Sequence, residues 1–153
     1  MSQESLIMDE GRTMVGQQVG PGEPFSVERE AIRRFLEAIM EEPSNFLEGE
    51  HGWGGGAAQG VAPLTFPLYN CRNGIDRDFQ IPLTAPRRIR GGDEFEFLAP
   101  VHVGDEIRAR TKLLELYERE GATGKMVFIV TETHYVNQKG ETVMVNRATV
   151  IRR

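Results

Sequence analysis

The sequence predicts an α+β fold, a long antiparallel sheet wrapped around a short helix, and three observations predict it. The first is the stretch Arg90–Ile107, RGGDEFEFLAPVHVGDEI. It reads as a strand, an Ala99-Pro100 corner, a short apolar run and a Gly104-Asp105 turn that launches another strand. The second is that turn-bounded strand runs fill the rest of the chain to Arg153. The third is that both helical candidates precede these strands, and an antiparallel sheet with one apolar face needs a helix to cover it.

The elements follow in order. Residues 1–13 carry mixed charge without periodicity and are expected to form a flexible tail ahead of one domain over 14–153. Val15–Pro24 holds three glycines and two prolines and reads as an extended, turn-rich lead-in. Ile32, Phe35, Leu36, Ile39 and Met40 form one apolar stripe at helical spacing. That stripe predicts a helix over 26–41, with Ser26 as its cap, Glu28 and Glu30 in its first turn and Pro43 as its stop. Pro43 to Pro63 reads as a glycine-rich loop without regular structure. A short second helix is expected over 64–73, with Thr65 as its cap, Pro67 in its first turn and Gly74 closing it.

Four strands are expected over 88–98, 106–118, 125–136 and 141–152, the last three joined by hairpins at 121–124 and 137–140. In the second, Ile107, Ala109, Thr111 and Leu113 alternate with Arg108, Arg110 and Lys112, the pattern of a half-exposed strand. The run KMVFIV (125–130) is apolar on both faces, so one face is expected to meet a helix and the other a partner.

Composition narrows the function classes. A content of 39% hydrophobic and 27% charged residues is that of an ordinary globular chain, and a net charge of −5 gives no support to a nucleic-acid surface. The single cysteine, Cys71, allows no intrachain disulfide. MSQESLIMDEGRT lacks the basic and apolar regions of a secretory leader, and no apolar run approaches the roughly 20 residues that span a bilayer. A cytoplasmic protein with no membrane span is expected.

Three segments carry a resemblance: GVAPLTFP (60–67), RRIRGGDEFEFLAPVHVGDEI (87–107) and MVFIVTETHYVNQKGETVMVNRATVIRR (126–153). Together they resemble the MaoC-like dehydratases, and more narrowly the FAS1-like dehydratase N-terminal half of that group. The resemblance spans about residues 13–153. It implies a single hotdog fold, an antiparallel sheet wrapped around a central helix. It also implies work as a double hotdog in an (R)-specific enoyl-CoA hydratase or dehydratase, with a coenzyme A thioester as substrate and no further cofactor.

Hydration of an enoyl thioester needs a carboxylate and an imidazole to hold one water, one taking and one giving a proton. It also needs an N–H to stabilise the thioester oxygen as the enolate develops. The family's catalytic half places Asp and His in a D-x-N-P-x-H pattern after the first helix. Aligning Asn45 with that pattern puts Pro43 at the Asp position, Phe46 at the Pro position and Glu48 at the His position. The resemblance therefore implies a non-catalytic subunit that shapes the acyl site of a catalytic MaoC-like hotdog partner, in a heterodimer or heterotetramer, or of a second copy of itself. The alternatives are a self-sufficient hydratase or thioesterase using Glu48 and His51, and an acyl-CoA-binding or structural hotdog without turnover.

The remaining candidates are weighed by chemistry. The acidic cluster Glu41, Glu42, Glu48 and Glu50 with His51 reads more simply as a solvated loop than as an active site. Gly52–Ala57 fits G-x-G-x-x-A but lacks the preceding strand and following helix of a dinucleotide site. Trp53 is instead a candidate anchor over the acyl site or the subunit interface. The backbone at Ala62, Pro63 and Leu64 lies where the resemblance places the oxyanion donor, and Pro63 removes one N–H there. Arg87, Arg88 and Arg90 are candidate contacts for coenzyme A phosphates, with plain surface solubility as the simpler reading. His102 and His134 are not spaced for a metal, and Cys71 lacks a neighbouring base.

Overall fold

The computed structural model describes residues 4–48, 60–70 and 80–153. Its frame is one antiparallel sheet. Four long strands, β3 (Arg88–Phe97), β4 (Glu106–Gly121), β5 (Gly124–Val136) and β6 (Thr142–Arg152), take up the C-terminal half. Two short strands, β1 (Gln18–Val19) and β2 (Phe25–Ser26), both pair with β4. The order is β1-β4-β5-β6-β3, so β3 closes one side. The four long strands match the runs read from the sequence to within three residues at either end.

Alternation sorts the side chains, and the sheet bends where alternation breaks. Ile107, Ala109, Thr111 and Leu113 are buried, while Arg108, Arg110 and Lys112 face water. Between Leu113 and Glu115 the register with β5 shifts by one residue, a bulge. Beyond it Leu116, not Tyr117, packs inward, against the cluster of Ile7, Ala85 and Val127. A second bulge lies in β3 between Arg90 and Gly92.

The inner face carries Ala109, Tyr135, Met144 and Phe97 in one row across β4, β5, β6 and β3. Phe66 packs on the cluster these residues join, together with Val27, Ile32, Leu36 and Leu47. It is fully buried, and its ring sits 5.8 Å from that of Phe25 and 5.6 Å from that of Phe35. The next row is polar on β4, β5 and β6, where Thr111 and Thr133 share a hydrogen bond of 2.9 Å beside buried Asn146, and ends on β3 at Phe95. On the outer face Tyr117 and Phe128 stack at 5.1 Å with the Arg119 guanidinium over both rings. That outer side of β5 was expected to wait for a partner; part of it is covered from within the chain.

Several expectations are corrected. The segment read as a flexible tail is held from Ser5 onward and includes a one-turn helix, α1 (Asp9–Arg12). Ile7 is buried and bridges Leu83, and the Glu118 carboxylate accepts the N–H groups of Leu6 at 2.6 Å and Ile7 at 3.0 Å. The next helix, α2, runs Arg29–Ala38 rather than 26–41. Ser26 is not its cap, because Phe25 and Ser26 pair with β4, and the Val27 N–H donates to the Asp105 carbonyl at 2.8 Å. Strand pairing thus holds the backbone extended until Glu28. Pro43 is not its stop either: Met40, at φ 59, ends the helix, and the Glu41 N–H closes back on the Leu36 carbonyl at 2.9 Å.

Pro43 instead precedes a single turn, α3 (Ser44–Leu47), inside the stretch expected to be irregular. The described part of the second predicted helix is α4 (Phe66–Asn70), with Pro67 in its first turn. The expected continuation over 71–73, Cys71 and the closing Gly74 lie outside the described residues. No helix among the described residues is long and apolar enough to cross a membrane.

Candidate functional site

Three non-local backbone links build a pocket at one end of the sheet. Ahead of α4, the Val61 N–H donates to the Phe46 carbonyl at 3.0 Å and the Ala62 N–H to the Val101 carbonyl at 2.8 Å. After β3, the Leu98 N–H donates to the Val143 carbonyl at 2.9 Å. Gly60 makes the first approach possible. It sits at φ +76, and a Cβ there would meet the Val103 side chain at 3.2 Å and Leu47 at 3.4 Å.

These links frame a pocket of about 120 Å³, open at one side and walled by α3, the 61–64 segment, α4, the 97–101 corner and β6. Phe46, Val61, Phe97, Val101 and Met144 line it together with Ala62, Pro63 and Leu64. Among the described residues, no lining side chain carries a charge or a hydrogen-bonding group. The backbone offers little more on one wall: the Val61 and Ala62 N–H groups are spent within the protein, and Pro63 has none.

The structure thus brings Ala62, Pro63 and Leu64 together in one place, with Leu64 exposed at the mouth. The other candidates stand elsewhere. Glu48, at the end of α3, faces water and does not line the pocket. Arg88 and Arg90 sit at the opposite end of β3 from Phe97, with Arg87 just before them. Nine residue steps of strand lead from Arg88 to Phe97, about 30 Å at full extension. The Arg90 guanidinium donates to both oxygens of Asp93. Burial alone would raise the Asp93 carboxyl, but the hydrogen bonds from Arg90 and Asn146 outweigh it and hold it below the usual range. His51, Glu50, Trp53 and the Gly52–Ala57 run lie outside the described residues.

Two imidazole–carboxylate pairs occur among the described residues, and neither reaches the pocket lining. The Asp105 carboxylate accepts the His102 backbone N–H at 2.8 Å and the Gln138 amide at 2.9 Å, a turn-stabilising role at the start of β4. His134 and Glu132 meet at 3.0 Å on the outer face, where Arg147 also donates to Glu132 at 3.0 Å. The His134 hydrogen bond, with help from Arg147, holds the Glu132 carboxyl below its ordinary value. No cluster of three or more His, Cys, Asp or Glu side chains able to hold a metal ion occurs among the described residues.

Periodicity could not have found this pocket, because its walls come from segments far apart in the chain. Phe97, Val101, Val143 and Met144 were missed for that reason, and Phe46 was noted only for its place in the family pattern, not as a wall of the pocket.

Comparison with known proteins gives a consistent set of likenesses. The FAS1-like, dehydratase domain region matches residues 13–146. A UPF0336 protein of Saccharopolyspora erythraea is 26% identical over 145 residues, covering 93% of this chain and 90% of its own. Among solved structures, the C-terminally truncated HadBC (3R-hydroxyacyl-ACP dehydratase) complex of Mycobacterium tuberculosis superposes with a TM-score of 0.66 at 26% identity, over 90% of this chain and 96% of that one. A MaoC-like dehydratase from Rhodospirillum rubrum superposes with a TM-score of 0.66 at 22% identity, over 91% and 93% of the two chains.

Proposed function

The chain belongs to the FAS1-like dehydratase family and has its MaoC-like hotdog fold, and from that premise we propose that it is the non-catalytic half of an (R)-specific enoyl-thioester hydratase or dehydratase. In this reading it completes the acyl-binding site of a catalytic hotdog partner and adds no acid or base of its own. The substrate is a coenzyme A or carrier-protein thioester.

One observation carries the proposal. Among the described residues, the pocket beside α4 is walled by side chains that can hold an acyl chain but cannot move a proton. Phe46, at the Pro position of the family's D-x-N-P-x-H pattern, faces this pocket, while Glu48, at the His position, faces water. The N–H groups of Val61 and Ala62 are spent within the protein and Pro63 has none, so three of the four residues of that wall offer no oxyanion donor. A site of this kind needs its water, acid and base from elsewhere.

Two further points support a partner. HadBC is a complex whose described activity is dehydration of a 3R-hydroxyacyl thioester, the reverse of adding water to the enoyl form. The outer side of β3 in this chain has no strand beside it among the described residues, so its 92–97 stretch offers an edge for pairing.

The test is reconstitution. The chain is purified alone and together with a catalytic MaoC-like subunit, and loss of the enoyl-thioester absorbance is followed. The expected result is no turnover alone and turnover in the mixture, abolished by replacing the partner's Asp or His. Turnover by the chain alone that disappears in Glu48→Gln or His51→Ala would overturn the proposal in favour of a self-sufficient enzyme.

A further inference from the structure

We infer that the pocket beside α4 selects acyl groups by their far end, accepting an unbranched, uncharged aliphatic segment of about four carbons and refusing chains that end in a carboxylate or a fused ring. The inference rests on the acyl-binding reading above and narrows it to a substrate class.

The end that enters is fixed by chemistry. A thioester carbonyl gains little inside, because the 61–63 wall offers no N–H and no lining side chain among the described residues is a donor. The polar head therefore stays outside and the hydrocarbon end goes in. A carboxylate at that end would give up its hydration for a wall of Phe46, Val61, Phe97, Ala99, Val101 and Met144, none of which can compensate it.

Size follows from volume. The pocket has a volume of about 120 Å³. A water-sized or methylene-sized group takes about 30 Å³, so about four fit, and a cavity of about 150 Å³ is what an engineered core needs to admit benzene. A single ring is therefore already too large, and a fused ring system far too large. The walls are fixed by Pro63 and Pro100 and by the Leu98–Val143 and Ala62–Val101 hydrogen bonds, which resist widening. Carbons nearer the thioester leave past Phe97, whose ring stacks on Phe95 at 5.9 Å, and Phe95 lies on the exposed edge strand. That apolar path leads toward the side of β3 where a partner is proposed.

The experiment measures binding of straight-chain acyl-CoAs from acetyl to dodecanoyl to the purified 153-residue chain by calorimetry, with adipoyl-CoA set against hexanoyl-CoA. Affinity is expected to rise about fourfold per methylene over about four methylenes and then level off. Adipoyl-CoA is expected to bind at least about tenfold more weakly than hexanoyl-CoA. Ala99→Leu should move the plateau to shorter chains and Val101→Ala to longer ones. Each variant is first checked for fold by circular dichroism, and either one alone decides the point. Equal affinity for the two six-carbon ligands, a plateau that stays in place in a folded variant, or no acyl-CoA binding at all overturns the inference. The subunit reading is judged separately, by turnover in the reconstituted mixture, which does not depend on the length profile.

Discussion

Met40 and Glu118 show how single side chains set local structure here. Met40 holds a left-handed backbone at the end of α2, and its side chain is 93% exposed, so it makes no packing that would compensate the strain. Met40→Gly is expected to raise stability by about 0.5–1 kcal/mol, read as an upward shift of the urea midpoint with unchanged slope. Glu118 gathers the Ser5 hydroxyl and the Leu6 and Ile7 N–H groups on one carboxylate oxygen, with Lys125 nearby at 3.7 Å. Burial pushes its carboxyl up, but these hydrogen bonds and Lys125 outweigh that and hold it below its ordinary value. A depressed folded-state value means the anchor is at full strength above the unfolded-state value, about pH 4.3, and is lost as pH falls below that through the folded value. The N-terminal segment should therefore become sensitive to an acid-active protease below about pH 4 while the sheet stays folded. Glu118→Gln should bring the same sensitivity at neutral pH; unchanged resistance in that variant would show that the carboxylate is not the anchor.

At the scale of elements, β3 differs from its neighbours. It is ten residues long, pairs among the described residues with β6 alone, and exposes Ile89 and Phe95. A strand of that length with an open side is a template for pairing, and its partner is expected along that side. Phe95→Lys, at a position already 36% exposed, should leave the monomer folded but lower the assembly mass seen by light scattering. An unchanged mass would place the interface elsewhere. The strands were legible in the sequence because their alternation is local, from Ile107 to Leu113 and along β5 and β6. The start of α2 was not, because the pairing of Phe25 and Ser26 with Ile107 and Glu106 overrides a local capping signal. The order of the N-terminal segment was hidden for the same reason: its anchor, Glu118, is 112 residues away from Leu6.

For the whole molecule, Phe66 is where the helices and the sheet meet. It is buried completely among residues from β2, α2, α4 and the inner row of the sheet. Phe66→Ala should cost about 3–5 kcal/mol, a large share of the stability of a single domain, and differential scanning calorimetry reads this as a lower Tm with one cooperative transition. Of the candidate site, only Ala62, Pro63 and Leu64 were visible beforehand, through family resemblance; the remaining walls are a product of the fold. The bulge after Leu113 has a different consequence, for how chain length can change. Pairing runs Leu113 with Thr131 and then Glu115 with Val130, so Leu114 is the one residue the ladder does not need. Its deletion would leave every later side chain of β4 on the face it now occupies, Leu116 still inward and Tyr117 still outward. The longest strand of the sheet thus contains a position where deletion of one residue is silent to both faces, while the same change a few residues earlier would turn Ile107, Ala109 or Thr111 out of the core.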